Sequence, residues 1–359
     1  MRLARSIFLR ALPVAAIFLA NACLVLPTVA APNEDEVLDF SIYTQPQRLI
    51  EVAPGRKLNL VCVGEGSPTV ILDIGVGDPA GDWARVQARI GKSHRTCSYD
   101  RAGIGFSDAS TGGGSSAEIV ADLRSLLSAA SIKPPYLLVG QSYGGMNVRL
   151  YYYLHPEEVV GLVLVEPAHE DQDEGFRMLS PKALSRAAWV AFREPGRKDR
   201  ERCIKAAEDG AEPTSLAFKD CVVAPPALLP DAIKPMYLAM QSTAKFQRAQ
   251  GTEETAVYAA SVEQLRNNRR GFGSLPVIVL SRSAEVRPLR EWETARLRET
   301  RYRFWLNLHQ GLADSSSRGE HRVIENSDHL LQLSQPAAVV SAIHDVISLV
   351  SNKESSVAN

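Results

Sequence analysis

Five residues, Gly140-Gln141-Ser142-Tyr143-Gly144, restrict what this chain can become more than any other feature. They stand between an apolar run, Tyr136-Leu137-Leu138-Val139, and an amphipathic segment that stops at His155-Pro156. A strand that enters a helix through so short a link must turn sharply. Glycines around the apex let the helix pass close to the strand without side-chain clashes. The apex is Ser142, and its hydroxyl would project above the strand end, at the positive end of the helix. Gly-x-Ser-x-Gly occurs often by chance; the strand–turn–helix setting makes Ser142 a candidate nucleophile. The bland alternative is a glycine-rich turn with no chemical role.

The flanking pattern fits that setting. Short strands are expected at residues 48–52 and 57–63 around Pro54-Gly55, then at Thr69-Val70-Ile71-Leu72-Asp73, 95–99, 136–139 and 159–165. Residues 116–130 carry Ile119, Val120, Leu123, Leu126 and Leu127 at helical spacing. Strands alternating with helices imply a mostly parallel sheet covered on both faces, an α/β fold. Residues 167–275 break the pattern. They offer helical patches at 182–192, 199–208, 232–250 and 254–268 without a convincing buried strand, and read as an inserted helical cap or lid. Alternation resumes at Pro276-Val277-Ile278-Val279-Leu280, followed by a helix at 288–311, a strand at 320–325 and a last helix at 336–350. The core is thus expected at 31–166 and 276–350, with a disordered tail at 351–359.

Net charge is -1, so composition gives no case for nucleic acid or an acidic membrane as partner. The N-terminus reads as a secretory signal over residues 1–30: Arg2, Arg5 and Arg10, then an apolar run, then the small-residue exit Thr28-Val29-Ala30. Retained, the same run would be a membrane anchor. With the signal removed, Cys62, Cys97, Cys203 and Cys221 remain. An even count in an exported chain points to two disulfides, against the alternative of four buried thiols.

A serine hydroxyl needs a base to take its proton. His329, in Asn326-Ser327-Asp328-His329, follows the last expected strand and so falls at the sheet edge that carries Ser142. His155, His94, His309, His321 and His344 sit at helix ends, strand starts or inside a helix. His169 shares the correct edge, but the chain order Ser, acid, His favours His329. Two N–H donors for a tetrahedral oxyanion are expected from Tyr143 and, in the loop Asp73-Ile74-Gly75-Val76-Gly77, from Val76. Cysteine and histidine spacing suggests no metal site, and no cofactor is implied.

Gly140–Gly145, the segment Tyr99-Asp100-Arg101-Ala102-Gly103-Ile104-Gly105-Phe106-Ser107, and Asn326–His329 with Pro336 behind it resemble the α/β-hydrolase superfamily over about residues 48–350. The resemblance implies an eight-stranded sheet in the order 1-2-4-3-5-6-7-8 and a cap after the sixth strand. That order makes the strands of Cys62 and Cys97 neighbours able to bridge, and Cys203–Cys221 would clip the cap. One departure stands out: the usual His-Gly before the oxyanion residue is Ile74-Gly75. The nucleophile is Ser rather than Asp, which argues against dehalogenase or epoxide hydrolase chemistry. The acid is open. Glu285 matches the usual position after the seventh strand. Glu166 follows the sixth strand, in a run Leu164 to Gln172 like that of a secreted subgroup, and is preferred; Asp171 is a further candidate. The expected activity is acyl-enzyme hydrolysis of a small ester, thioester or amide. Cofactor-free haloperoxidase or carbon–carbon bond hydrolase chemistry, and a non-catalytic binding module, are the alternatives.

Overall fold

Side chains that alternate between two covered faces make the central strands. The computed structural model describes residues 38–179, 199–212, 214–284, 288–289 and 293–357. The strands are β1 (Arg48–Ala53), β2 (Arg56–Val63), β3 (Thr69–Asp73), β4 (Thr96–Tyr99), β5 (Tyr136–Gln141), β6 (Val159–Val165), β7 (Val277–Arg282) and β8 (Gly319–Ile324). They form one sheet in the order β1-β2-β4-β3-β5-β6-β7-β8, as expected. β2 runs antiparallel to β1 and β4; all other neighbours are parallel. On β5, Leu138 faces one side and Leu137 and Val139 the other; on β6, Leu162 and Leu164 oppose Val163 and Val165. That is the period of two of an extended chain, here with both faces apolar because both are covered.

The helices are α1 (Ala84–Ile90), α2 (Ser116–Ala129), α3 (Tyr143–Leu154), α4 (Gln172–Met178), α5 (199–208), α6 (Lys234–Gln241), α7 (Ala244–Ala256), α8 (Ala260–Asn268), α9 (Ala295–Asp314), α10 (Leu331–Ser334) and α11 (Pro336–Val357). α2, α3, α8 and α9 cover one face of the sheet, α1 and α11 the other. α2 buries Ile119, Val120, Leu123, Leu126 and Leu127 as one stripe and starts at a capping box of Ser115 and Glu118. Each such side chain, fully buried, contributes about 1.5–3 kcal/mol.

Residues 167–275 form helices and turns with no sheet strand among the described residues. The single helix expected over 232–250 is two, because the Thr243 side chain accepts from Phe246 N and starts α7 afresh. The patch at 182–192 lies outside the described residues. The insertion is not detached: α8 packs on α2 and α3, and Leu38 onward clusters as one unit. α11 runs to Val357, past the end expected at residue 350. No Gly or Pro stands in 351–357 to stop it, so the polar sequence that suggested a disordered tail stays helical. The expected signal at 1–30 lies outside the described residues. No helix among the described residues is long and apolar enough to cross a membrane.

Both disulfides are present. Cys62 and Cys97 are direct register partners on β2 and β4, with Cα atoms 4.1 Å apart. Cys203 and Cys221 lie 18 residues apart, packed with Ala206 and Phe218 in a small core of the insertion. Closing a loop of that length restricts the unfolded chain by about 3 kcal/mol. The double variant Cys203→Ser/Cys221→Ser is therefore expected to melt several degrees below the parent. Peptide mapping of the unreduced protein should return two cross-linked pairs; four free thiols would refute the pairing.

Candidate active site

The site begins with a backbone constraint. Ser142 has φ 51° and ψ −117°, which an L-residue adopts only when neighbours hold it there. Its N–H donates to Val165 O at 3.1 Å, and its carbonyl accepts from Gly145 N at 3.0 Å and Ala168 N at 2.8 Å. The glycines beside it are forced by close approach. A Cβ on Gly140 would stand 2.4 Å from Gly144 O, and one on Gly144 would stand 2.4 Å from Asp73 O. The turn thus lifts Ser142 at the edge where loops from β3, β6, β7 and β8 also arrive.

His329 comes in on the loop after β8. Its carbonyl accepts from Gln141 Nε2 at 2.9 Å, which ties it to the residue before Ser142. Its imidazole Nδ1 lies 3.9 Å from Glu166 Oε1, and the side chain is 50% exposed while that of Glu166 is 0%. Glu166 directly follows β6 with φ 45°, a second strained non-glycine residue at this edge. Its carboxylate is tightly held. Arg282 N donates to Oε2 at 2.9 Å, Arg282 Nε to Oε1 at 2.7 Å, and Trp305 Nε1 to Oε1 at 2.8 Å. Burial alone would push this carboxyl up, but the His329 and His309 imidazoles and the Arg282 guanidinium outweigh it and hold the pKa at about 2. The group is therefore an anion at any pH near neutrality.

That shift has a consequence for stability. A carboxylate whose folded pKa lies below its ordinary value of 4.5 contributes stability above that value and loses it as pH falls toward about 2. The difference is on the order of 3 kcal/mol. Denaturant unfolding of the parent and of Glu166→Gln between pH 6 and about 2 should show the parent losing this increment as pH falls. The variant should lack that component; identical pH dependence in the two proteins would contradict the assignment.

The remaining candidates fall elsewhere. Glu285 lies outside the described residues. Asp171 pairs with Arg266 at 2.7 Å and Arg269 at 3.3 Å. Arg282, at the end of β7, is turned to Glu166. His169 is buried, its Nδ1 accepting from Asp171 N at 3.0 Å. His309 is not a polar helix end but a fully buried residue, 4.0 Å from Glu166. Its Nε2 lies 2.9 Å from Pro167 O, which can only accept, so this nitrogen carries a proton; Nδ1 lies 2.5 Å from Ser281 Oγ. A sequence signal existed: Trp305, His309, Leu312 and Ala313 share one helical stripe.

The loop after β3 closes on the serine. The point where a Cβ on Gly75 would stand is 3.4 Å from Ser142 Cβ and 2.7 Å from Gln141 Oε1. Arg101 donates to Ile74 O at 2.7 Å, to Asp73 Oδ1 at 2.9 Å and to Gly75 O. The peptide unit that carries Gly75 O also carries the Val76 N–H. With the carbonyl held by Arg101, that N–H is directed the opposite way. Ile74, in the place of the usual histidine, buries its side chain in the core, and Arg101 supplies the polar support. Sequence reasoning missed this role for Arg101. Among the described residues, His155, Glu157 and Glu158 have ligand atoms within 4.8 Å of one another, but they lie at the far end of α3, where Glu158 already bonds Arg124 and Tyr151.

A family model described as alpha/beta hydrolase fold matches residues 68–201. The chain is 24% identical over 286 residues to the uncharacterized protein YqjL of Bacillus subtilis (strain 168), covering 79% of this chain and 85% of that protein. Among solved structures, the epoxide hydrolase CorEH superposes with a TM-score of 0.61 at 15% identity, over 85% of this chain and 98% of its own. A thermophilic esterase from Thermogutta terrifontis gives a TM-score of 0.54 at 20% identity, over 85% and 99%. The likeness to the solved structures is one of fold. Together with the strand order, these matches show that the chain has the α/β-hydrolase fold.

Proposed function

We propose that this chain is a serine hydrolase that cleaves a small acyl ester, thioester or amide through an acyl-enzyme. The observation that carries the reading is the strained Ser142 at one sheet edge with His329 and a buried, ionised Glu166. His329 takes the Ser142 proton as the oxygen attacks the acyl carbon. The carbonyl electron pair moves onto oxygen, facing the N–H groups of Tyr143 and Val76. As the carbonyl re-forms, the leaving group departs with the proton from His329. Water then attacks the acyl-enzyme, its proton passing to His329 and on to Ser142 as the acid is released. Glu166 fixes the imidazole tautomer and stabilises its charged form. The likeness to an epoxide hydrolase does not bring that chemistry with it, because residue 142 is Ser. A carboxylate nucleophile forms an alkyl ester, whereas a serine needs an acyl group to attack.

The reading places the protein outside the cytoplasm, with residues 1–30 removed as a signal; the two disulfides support this. Residues 167–275 act as the cap and would select the substrate. The test is a panel of acyl esters and aminoacyl amides of graded length, assayed on the mature protein. Burst kinetics and saturable turnover of at least one series are expected. Absence of turnover across the panel, with the protein folded, would contradict the proposal.

A further inference from the structure

We infer that the cap is part of the oxyanion machinery: Glu253 on α7 and Ser261 on α8 are positioning residues that hold its two N–H donors. This rests on the serine-hydrolase reading and goes beyond it, since a cap is otherwise a wall for the substrate.

Glu253 is buried to 2% exposure, one turn from the end of α7. Its Oε1 accepts from Arg101 Nε at 2.7 Å, and its Oε2 from Arg101 Nη2 at 2.9 Å. Oε2 also accepts from Gly77 N at 2.9 Å, the residue after Val76. The same guanidinium holds the carbonyls of Ile74 and Gly75 and the carboxylate of Asp73, whose other oxygen accepts from Tyr99 at 2.9 Å. Val76 is thus gripped on both sides, through Gly75 O by way of Arg101 and through Gly77 N directly. Gly77 sits at φ 74°, so the loop reverses there.

The second donor is held in parallel. Ser261 Oγ accepts from Ser116 N at 2.9 Å and lies 2.7 Å from Tyr143 Oη. Tyr143 Oη donates to Gly114 O at 2.8 Å. The single phenol proton is committed to that carbonyl, so Ser261 donates to Tyr143 and the chain of bonds runs one way. The side chain of the residue carrying the Tyr143 N–H is fixed by α8, as the Val76 loop is fixed by α7.

Stability does not account for this arrangement. A buried guanidinium between two carboxylates gains little over apolar packing, because desolvation offsets the attraction. Its distinguishing property is geometric: a planar fork with five donors sets the angles of two consecutive backbone carbonyls, those of Ile74 and Gly75. An oxyanion hole works only when its donors are aimed before the charge develops.

The experiment uses Glu253→Gln and Ser261→Ala in the full mature protein, with Glu254→Gln on the exposed side of α7 as control. For each, kcat, KM and the inhibition constant of an aryl boronic acid are measured alongside the melting temperature. The boronic acid forms a tetrahedral adduct on serine and reports the oxyanion hole separately from substrate binding. For Glu253→Gln, kcat should fall about tenfold or more, with KM within about threefold and boronate affinity weakened in proportion. Ser261→Ala should show the same pattern at smaller amplitude, and Glu254→Gln no change. Unchanged kcat and boronate affinity in a folded Glu253→Gln protein, or a rise in KM alone, would overturn the inference. If Glu253→Gln does not fold, Glu253→Asp is read by the same criteria, since it keeps the charge but shortens its reach. If the parent neither turns over esters nor binds the boronate, the serine-hydrolase reading has failed, which is a different result.

Discussion

Replacing Ser142 with alanine is expected to lower kcat on the order of 10³-fold or more while leaving the fold intact. The two effects separate for a structural reason. The backbone of residue 142 is held by Val165 O, Gly145 N and Ala168 N, and none of these bonds involves the hydroxyl. Alanine at φ 51° carries the same Cβ as serine, so the turn's strain is unchanged. What disappears is the oxygen proposed to form the acyl bond. Circular dichroism and melting of Ser142→Ala should match the parent, and retention of most activity would remove Ser142 from the mechanism.

The second large effect is expected at Glu166. Glu166→Gln keeps the shape of the side chain but removes its charge. The amide can still accept from Trp305 or Arg282 through one oxygen, while its NH₂ would face the donors that now meet the other. The imidazolium formed on His329 during attack loses its counter-charge, and the tautomer is no longer fixed. A fall in kcat of about 10²–10⁴-fold is expected. The comparison that decides between the two glutamates is Glu285→Gln, expected to stay close to the parent. Collapse of the rate in Glu285→Gln alone would move the acid to the position after β7.

Much of this was legible in residues 140–144 and their flanks. A strand, a serine between glycines and a helix leave few geometries, and the alternation of strands and helices does the rest. Sheet order came through the resemblance and not through periodicity, which says nothing about which strands touch. The break at Thr243 and the extent of α11 were misread because capping and packing, not pattern, decide where helices stop. The partners of Glu166 were hidden for another reason. Arg282 and Trp305 are distant in sequence and meet it only after β6, β7 and α9 have packed. Arg101 and Glu253 are 152 residues apart, and their pairing joins the loop after β4 to α7. In sequence, each is one charged residue among many; only burial shows that neither is a solvated surface charge.

The most direct test of the account is covalent. The protein is treated with a fluorophosphonate, its intact mass is measured, and the labelled peptide is sequenced. One adduct per chain is predicted, on the peptide that contains Ser142, with none formed by Ser142→Ala under the same conditions. An unlabelled, folded parent, or an adduct on a different residue, would contradict the assignment of Ser142 as the nucleophile.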